Sequence, residues 1–336
     1  HLSIRRQRQM CIRDRFILTL FSLSKIEAQQ GLPFYNHYLV SDKMLINPSY
    51  AGQDPNVISI TGTHRNQWDD LPESPSTQTV SAHGIIVDRL ALGMQFFNDR
   101  NGAVKMTGFG INAAYHIPID DRSYDGDEIN VFSFGVGASN VSQRFDYSKI
   151  IAEDPNDPAL QEDKYSTYFA NLGLSFKYAG FSAGVSVLDI PLSQNVYYVN
   201  NVEPLPTWYY FNVGYKWNVS EGIALEPSLV YNLNSNSERH LDINLMSHIG
   251  FGDNNQGVDI GVGYKQGMDS KNSNPLFVSP ILKFKVGSLK AGISYDIGLS
   301  DYQVDGRKNG MLFSLGFDLQ NPWGCLLYTS PSPRDR

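Results

Sequence analysis

The dominant period along this chain is two. In "KNGMLFSLGFDL", residues 308–319, Met311, Phe313, Leu315, Phe317 and Leu319 share one face, and Ser314, Gly316 and Asp318 share the other. "HLDINLMSHIGF" at 240–251 sets Leu241, Ile243, Leu245, Ile249 and Phe251 against Asp242, Asn244 and His248. "GVDIGVGYK" and "LKAGISYDIG" repeat the pattern through Val258, Ile260, Val262 and Tyr264, and through Leu289, Ala291, Ile293, Tyr295 and Ile297. Such alternation marks strands with one apolar and one polar face. The pattern predicts about fourteen strands, near 56–68, 76–87, 90–99, 105–119, 128–145, 166–178, 180–189, 207–218, 223–233, 240–251, 256–265, 276–286, 289–298 and 308–319. Their lengths sit near the ~9–11 residues with which a tilted strand crosses a bilayer.

The connections narrow the architecture. "DR" at 88–89, "AG" at 179–180 and "VSEG" at 219–222 are minimal, whereas 147–166, 190–206 and 299–308 are long. Short and long connections broadly alternate, as in outer-membrane barrels with short periplasmic turns and longer outer loops. The expected fold is therefore all-β: a transmembrane antiparallel up-and-down β-barrel over 56–320, with both chain ends on the periplasmic side. Aromatic residues near strand ends on the apolar face fit the two membrane–water interfaces: Tyr115, Phe176, Tyr178, Tyr209, Phe211, Tyr215, Trp217, Tyr231, Tyr264 and Tyr295. The competing architecture is a soluble β-sandwich that buries these aromatics between two sheets.

The ends read differently. "MCIRDR" at 10–15 and "CLLYTSPSPRDR" at 325–336 can be encoded by one DNA tag read on opposite strands. They resemble a translated sequencing adapter, so 1–15 and 325–336 are set aside as artefact. Residues 16–28 then read as a truncated signal peptide: Phe16 to Ser24 is apolar and Ala28 is a small residue before Gln29. The mature chain is expected to begin near Gln29, and 29–55 form a pre-barrel segment that plugs or caps the periplasmic mouth.

Setting the ends aside changes the composition. They carry much of the arginine, so the remainder is more acidic than the formal −7 of the whole chain, which argues against nucleic acid as a partner. Both cysteines, Cys11 and Cys325, leave with the ends, and with them any disulfide framework or cysteine metal site. The acidic stretch "DDRSYDGDE" at 120–128 lacks the full oxygen-ligand pattern of a calcium loop and reads as a solvated turn. The histidines are scattered, with neither a G-x-S-x-G elbow nor an H-E-x-x-H pair. No catalytic, cofactor or metal residues are assigned, and a non-enzyme is expected. Arg65 and His83 lie on adjacent predicted strands and can both face a polar lumen.

The most distinctive stretch is "FYNHYLVSDKMLINPSYAG" at 34–52, followed by "HRNQW" at 64–68, Pro75-x-Thr77 and His83. Together these resemble the opening of the PorP/SprF family of outer-membrane proteins, and "ISYDIGLSDY" at 293–302 resembles the family's closing pattern. The resemblance implies a barrel in the type IX secretion and gliding apparatus of Bacteroidetes, exported by a signal peptide and surrounded by outer-membrane lipid. It further implies periplasmic ring and lipoprotein components as partners, together with the C-terminal domain of a secreted adhesin that the barrel helps to export or anchor. Candidate partner-binding residues are Asn47, Pro48, Tyr50, Gly52, Arg65 and Trp68, with Tyr197 and Tyr198 from the apolar centre of the 190–206 loop. Asn47-Pro48 and Gly52 also have turn chemistry of their own.

A passive pore for small solutes and an outer-membrane enzyme are the alternatives. A lumen filled by residues 30–55 favours the secretion component, and an open channel favours the pore. A tight Ser/His or Asp/His cluster at the outer rim favours the enzyme.

Overall fold

The computed structural model describes residues 38–67, 74–119, 130–145, 164–192, 205–251, 256–268, 273–299 and 309–322. The chain divides into two compact units at Pro33, and every described residue belongs to the second. Apart from two single 3-10 turns, Lys43–Leu45 and Pro48–Tyr50, its regular structure is strand.

The strands are β1 (Val57–Gln67), β2 (Ser76–Val87), β3 (Leu90–Asn101), β4 (Val104–Pro118), β5 (Val131–Phe145), β6 (Lys164–Tyr178) and β7 (Phe181–Pro191). Then follow β8 (Trp208–Tyr215), β9 (Trp217–Ser220), β10 (Ile223–Asn234), β11 (Arg239–Gly250), β12 (Gln256–Met268), β13 (Ser273–Val286), β14 (Leu289–Gly298) and β15 (Asn309–Gln320). Each pairs antiparallel with its neighbours in sequence, except that β8 and β9 both pair with β10 and not with each other, and β15 closes on β1 from Val57↔Gln320 to Gln67↔Gly310. A closed sheet leaves no edge to solvate, as a structure spanning lipid requires.

The strands β8 and β9 are one stave broken at Lys216, which makes fourteen staves in all. The break has a chemical cause across the hairpin. Pairing skips from Ser228↔Gly214 to Leu225↔Trp217 around Pro227, which has no N–H to donate to the ladder. The Lys216 N–H bonds instead to the Gly180 carbonyl, at 2.8 Å. The sequence pattern had predicted one uninterrupted strand there.

Side-chain alternation follows the predicted faces. Outward positions are apolar and open to the surroundings, such as Leu315 at 54% exposure and Ile111 at 55%. Inward positions are polar and buried, among them Thr61, Thr79, Ser81, Asn112 and Ser133. Among the described residues no helix is long and apolar enough to cross a membrane.

The two-residue turns 88–89, 179–180, 221–222 and 287–288 lie at the end where β1 begins and β15 finishes. The connections 146–163, 192–207 and 299–308 lie at the other end. Three connections break the alternation: 119–130 is long at the terminal end, 251–255 there exceeds the far-end connections 235–238 and 269–272, and 102–103 is short at the far end.

Candidate functional site

The lumen is crossed by the chain's own segment 38–55. Apolar anchors fix it on opposite walls. Tyr38, Leu45 and Ile46 cluster with Leu188 on β7, Trp208 and Tyr210 on β8 and Val230 on β10. Val40 packs with Met246 on β11, Ile281 on β13 and Leu312 on β15. Met44 and Ala51 pack with Ile85 on β2, Ala91 on β3 and Ala114 on β4. Apolar residues thus line the lumen where the segment lands, which gives it a hydrophobic reason to stay; a further inward apolar cluster, Phe97, Val141 and Phe169, includes no residue of the segment.

Asn47 is the centre of the polar latch and is fully buried. Its Oδ1 accepts from the Ser49 N–H at 3.0 Å and from the Ser49 hydroxyl at 2.7 Å, capping the Pro48–Tyr50 turn. Its Nδ2 donates to the Leu174 carbonyl on β6 at 3.0 Å and the Val185 carbonyl on β7 at 3.2 Å. Every polar atom of this side chain is therefore used, as burial demands. Pro48 fixes φ at the first position of the turn. The Tyr50 hydroxyl accepts from Asn212 Nδ2 at 2.6 Å, and Ser186 donates to the Ile46 carbonyl.

The wall is shaped to receive this turn. A Cβ at Gly135 on β5 would collide with the backbone of Pro48 and Ser49, and one at Gly173 on β6 with Asn47 Oδ1. These inward glycines form a socket in which strand backbone meets plug backbone. Gly52 is constrained from the other direction: its φ is +60° and a Cβ there would run into Ala91.

A second latch joins the segment to β2. The Asp42 carboxylate accepts from the Met44 N–H at 2.9 Å and the Ser81 hydroxyl at 2.6 Å, and it lies 3.2 Å from His83 Nε2. His83 Nδ1 accepts from the Gly52 N–H at 2.9 Å, so in its neutral form the ring carries its proton on Nε2, toward Asp42. Burial alone would raise the Asp42 carboxyl, but His83, Ser81 and the Met44 N–H together hold it below the ordinary range. Farther along, His116 Nε2 meets the Ala51 carbonyl at 2.9 Å, and Lys43 pairs with Glu226 on β10 at 3.4 Å.

The residues singled out from sequence now have places. Asn47, Pro48, Tyr50 and Gly52 come together in the lumen, buried against β2 to β8. Arg65 also faces the lumen but belongs to a separate cluster, 3.6 Å from Asp296, which in turn accepts from Ser279. Trp68, Tyr197 and Tyr198 lie outside the described residues, as do the acidic loop 120–128 and both ends of the chain. Sequence reasoning missed the receiving side of the latch: Ser81, Asn212, Ser186, Glu226 and the inward glycines. No group of three or more metal-ligating side chains occurs among the described residues.

At the terminal mouth the segment leaves a vestibule of about 830 Å3, with Leu39, Val40 and Ser41 among the lining residues. Its wall carries paired charges: Lys283 with Asp259 at 3.0 Å, and Lys285 and Lys290 with Asp318 at 3.3 and 2.7 Å.

Among solved structures, the chain is similar to the CymD monoaromatic hydrocarbon channel at 12% identity and a TM-score of 0.52, over 83% of this chain and 92% of that one. It is also similar to a Pseudomonas aeruginosa FadL homologue at 11% identity and a TM-score of 0.48, over 82% and 92%. CdiB from Acinetobacter baumannii matches at 8% identity and a TM-score of 0.42; the similarity covers 79% of this chain and spans about 60% of CdiB. At such identities the likeness concerns the barrel fold alone. No curated protein matches the chain. The model of the type IX secretion system membrane proteins PorP/SprF matches residues 27–316. With that match over most of its length and a closed fourteen-stave barrel, the chain belongs to the PorP/SprF family of outer-membrane proteins of the type IX secretion system.

Proposed function

We propose that this barrel is a protein-binding component of the secretion apparatus, without catalytic activity, that supports export or anchoring of a surface adhesin. The observation that carries this reading is the latched segment 38–55, which occupies the lumen with buried hydrogen bonds and apolar anchors on opposite walls. A barrel that fills its bore with its own chain offers proteins its two rims and offers solutes little. Periplasmic ring and lipoprotein components would meet the terminal rim, beside the vestibule. The adhesin's C-terminal domain would meet the far rim, where the long connections 146–163 and 192–207 emerge. Tyr197 and Tyr198 fall in the second of these, in an apolar run suited to a partner surface. Asn47, Pro48, Tyr50 and Gly52 would act by positioning the segment, since they are buried away from any partner.

Replacing 194–201 with a short Gly-Ser link tests the reading. The barrel should still fold and insert, while display of the cognate adhesin is lost and small-solute flux is unchanged. A passive solute pore is the second reading, favoured by the 830 Å3 vestibule. Normal display together with increased flux in the same variant would select it.

A further inference from the structure

Among the described residues, the outward face carries a concave site that neither the latch nor the rims explain. Tyr115, Phe134, Phe176, Tyr178 and Phe181 form an aromatic belt at the terminal end of β4 to β7, with ring contacts between Tyr115 and Phe134 and from Phe176 to Tyr178 and Phe181. The belt stops at β4. Outward positions on the terminal halves of β1, β2 and β3 hold no aromatic residue.

In their place is an apolar furrow of about 620 Å3. The register shows how it arises. Gly84 pairs with Leu92, Ala82 with Met94, and Leu92 with Ala113, so Gly84, Ala82 and Ala113 leave a low floor beside the larger Leu92, Met94 and Ile111. Ile58 on β1 leans over Gly84 closely enough to meet a Cβ built there at 3.0 Å, which closes the near wall. The furrow therefore crosses the outward face from β2 to β5, with Ile58 on β1 at one side and Val136 and Ala138 on β5 at the other. At its terminal end β2 and β3 are joined by the two-residue turn Asp88–Arg89. The Arg89 carbonyl accepts from the His116 N–H at 3.0 Å, and its guanidinium forms no ion pair with a described residue.

We propose that this furrow and Arg89 together form a binding site for one phospholipid, with an acyl chain lying over Ala82 and Gly84 and the phosphate held by Arg89. The chemistry is complementary at both ends. An apolar slot within the bilayer band takes a hydrocarbon chain, and a guanidinium at the membrane–water boundary presents a fork of donors that suits phosphate. A bulky aromatic girdle would leave no such slot.

Intact-protein mass spectrometry of the full-length barrel in mild detergent tests the site. The probes are equimolar dimyristoyl phosphatidylglycerol and phosphatidylethanolamine, added after delipidation. The unaltered protein should retain one phospholipid through detergent exchange. Ala82→Leu, which fills the floor, should reduce retention about tenfold; Ala113→Leu serves in its place should that variant fail the heat-modifiability check for folding. Arg89→Gln should leave the furrow intact but abolish any preference for the anionic headgroup. Equal retention by the filled variant and the unaltered protein would overturn the proposal. So would a co-purifying membrane protein, in place of lipid, whose capture is lost in the filled variant.

Discussion

Asn47 is where the sequence motif and the lumen meet. Its side chain makes four hydrogen bonds without access to water, two to its own turn and two to the barrel wall. Asn47→Ala removes all four and strands the partners, which should weaken docking of the segment by about 1–3 kcal/mol. Hydrogen exchange should show faster exchange at residues 42–52 with unchanged protection in β1 to β15. Uniform loss of protection would mean that segment and wall fold as one unit. Asp42 adds a pH dependence of definite sign. Its carboxyl is depressed in the docked state, so it contributes stability above the unfolded value near ~3.9 and loses it as pH falls further. Docking measured by the same exchange should weaken below about pH 4 and should not improve on raising the pH above neutrality through this group.

At the scale of the strand, one face meets lipid and the next residue meets the lumen. Leu315 on β15 is outward and open, so Leu315→Arg should cost ~2–4 kcal/mol of barrel stability if it lies near the bilayer midplane. Ser314 lines the vestibule, where an arginine side chain has room, so Ser314→Arg should be tolerated. Heat-modifiability on gels separates the two, and equal damage at both positions would contradict the assignment of faces.

The strands were legible in the sequence because a period of two imposes one face per residue. All fourteen predicted segments have counterparts whose ends differ by at most three residues. The break at Lys216 was not legible along its own segment, because the missing donor is Pro227 across the hairpin. The latch was half legible. Asn47-Pro48 and Gly52 announced turn chemistry, and the pre-barrel segment was expected at the mouth. Its contacts join residues more than a hundred positions apart, as Asn47 to Leu174, and nothing local encodes them. The available signal was glycine at inward strand positions such as Gly135 and Gly173, where a polar side chain would ordinarily fill the lumen.

For the molecule as a whole, we propose a membrane barrel whose own segment occupies the bore and which works through its rims. If the ends are adapter sequence, trimming 1–15 and 325–336, with a native signal peptide supplied, should leave insertion and heat resistance unchanged. Misfolding of the trimmed chain would contradict the reading of those ends as adapter sequence. The central claim is the occupied lumen, and planar-bilayer conductance reads it directly. The unaltered barrel should stay near baseline, and Asn47→Ala should produce intermittent openings as the segment undocks. Steady conductance by the unaltered protein, unchanged by Asn47→Ala, would mean that solutes pass around the latched segment and that the passive-pore reading is correct.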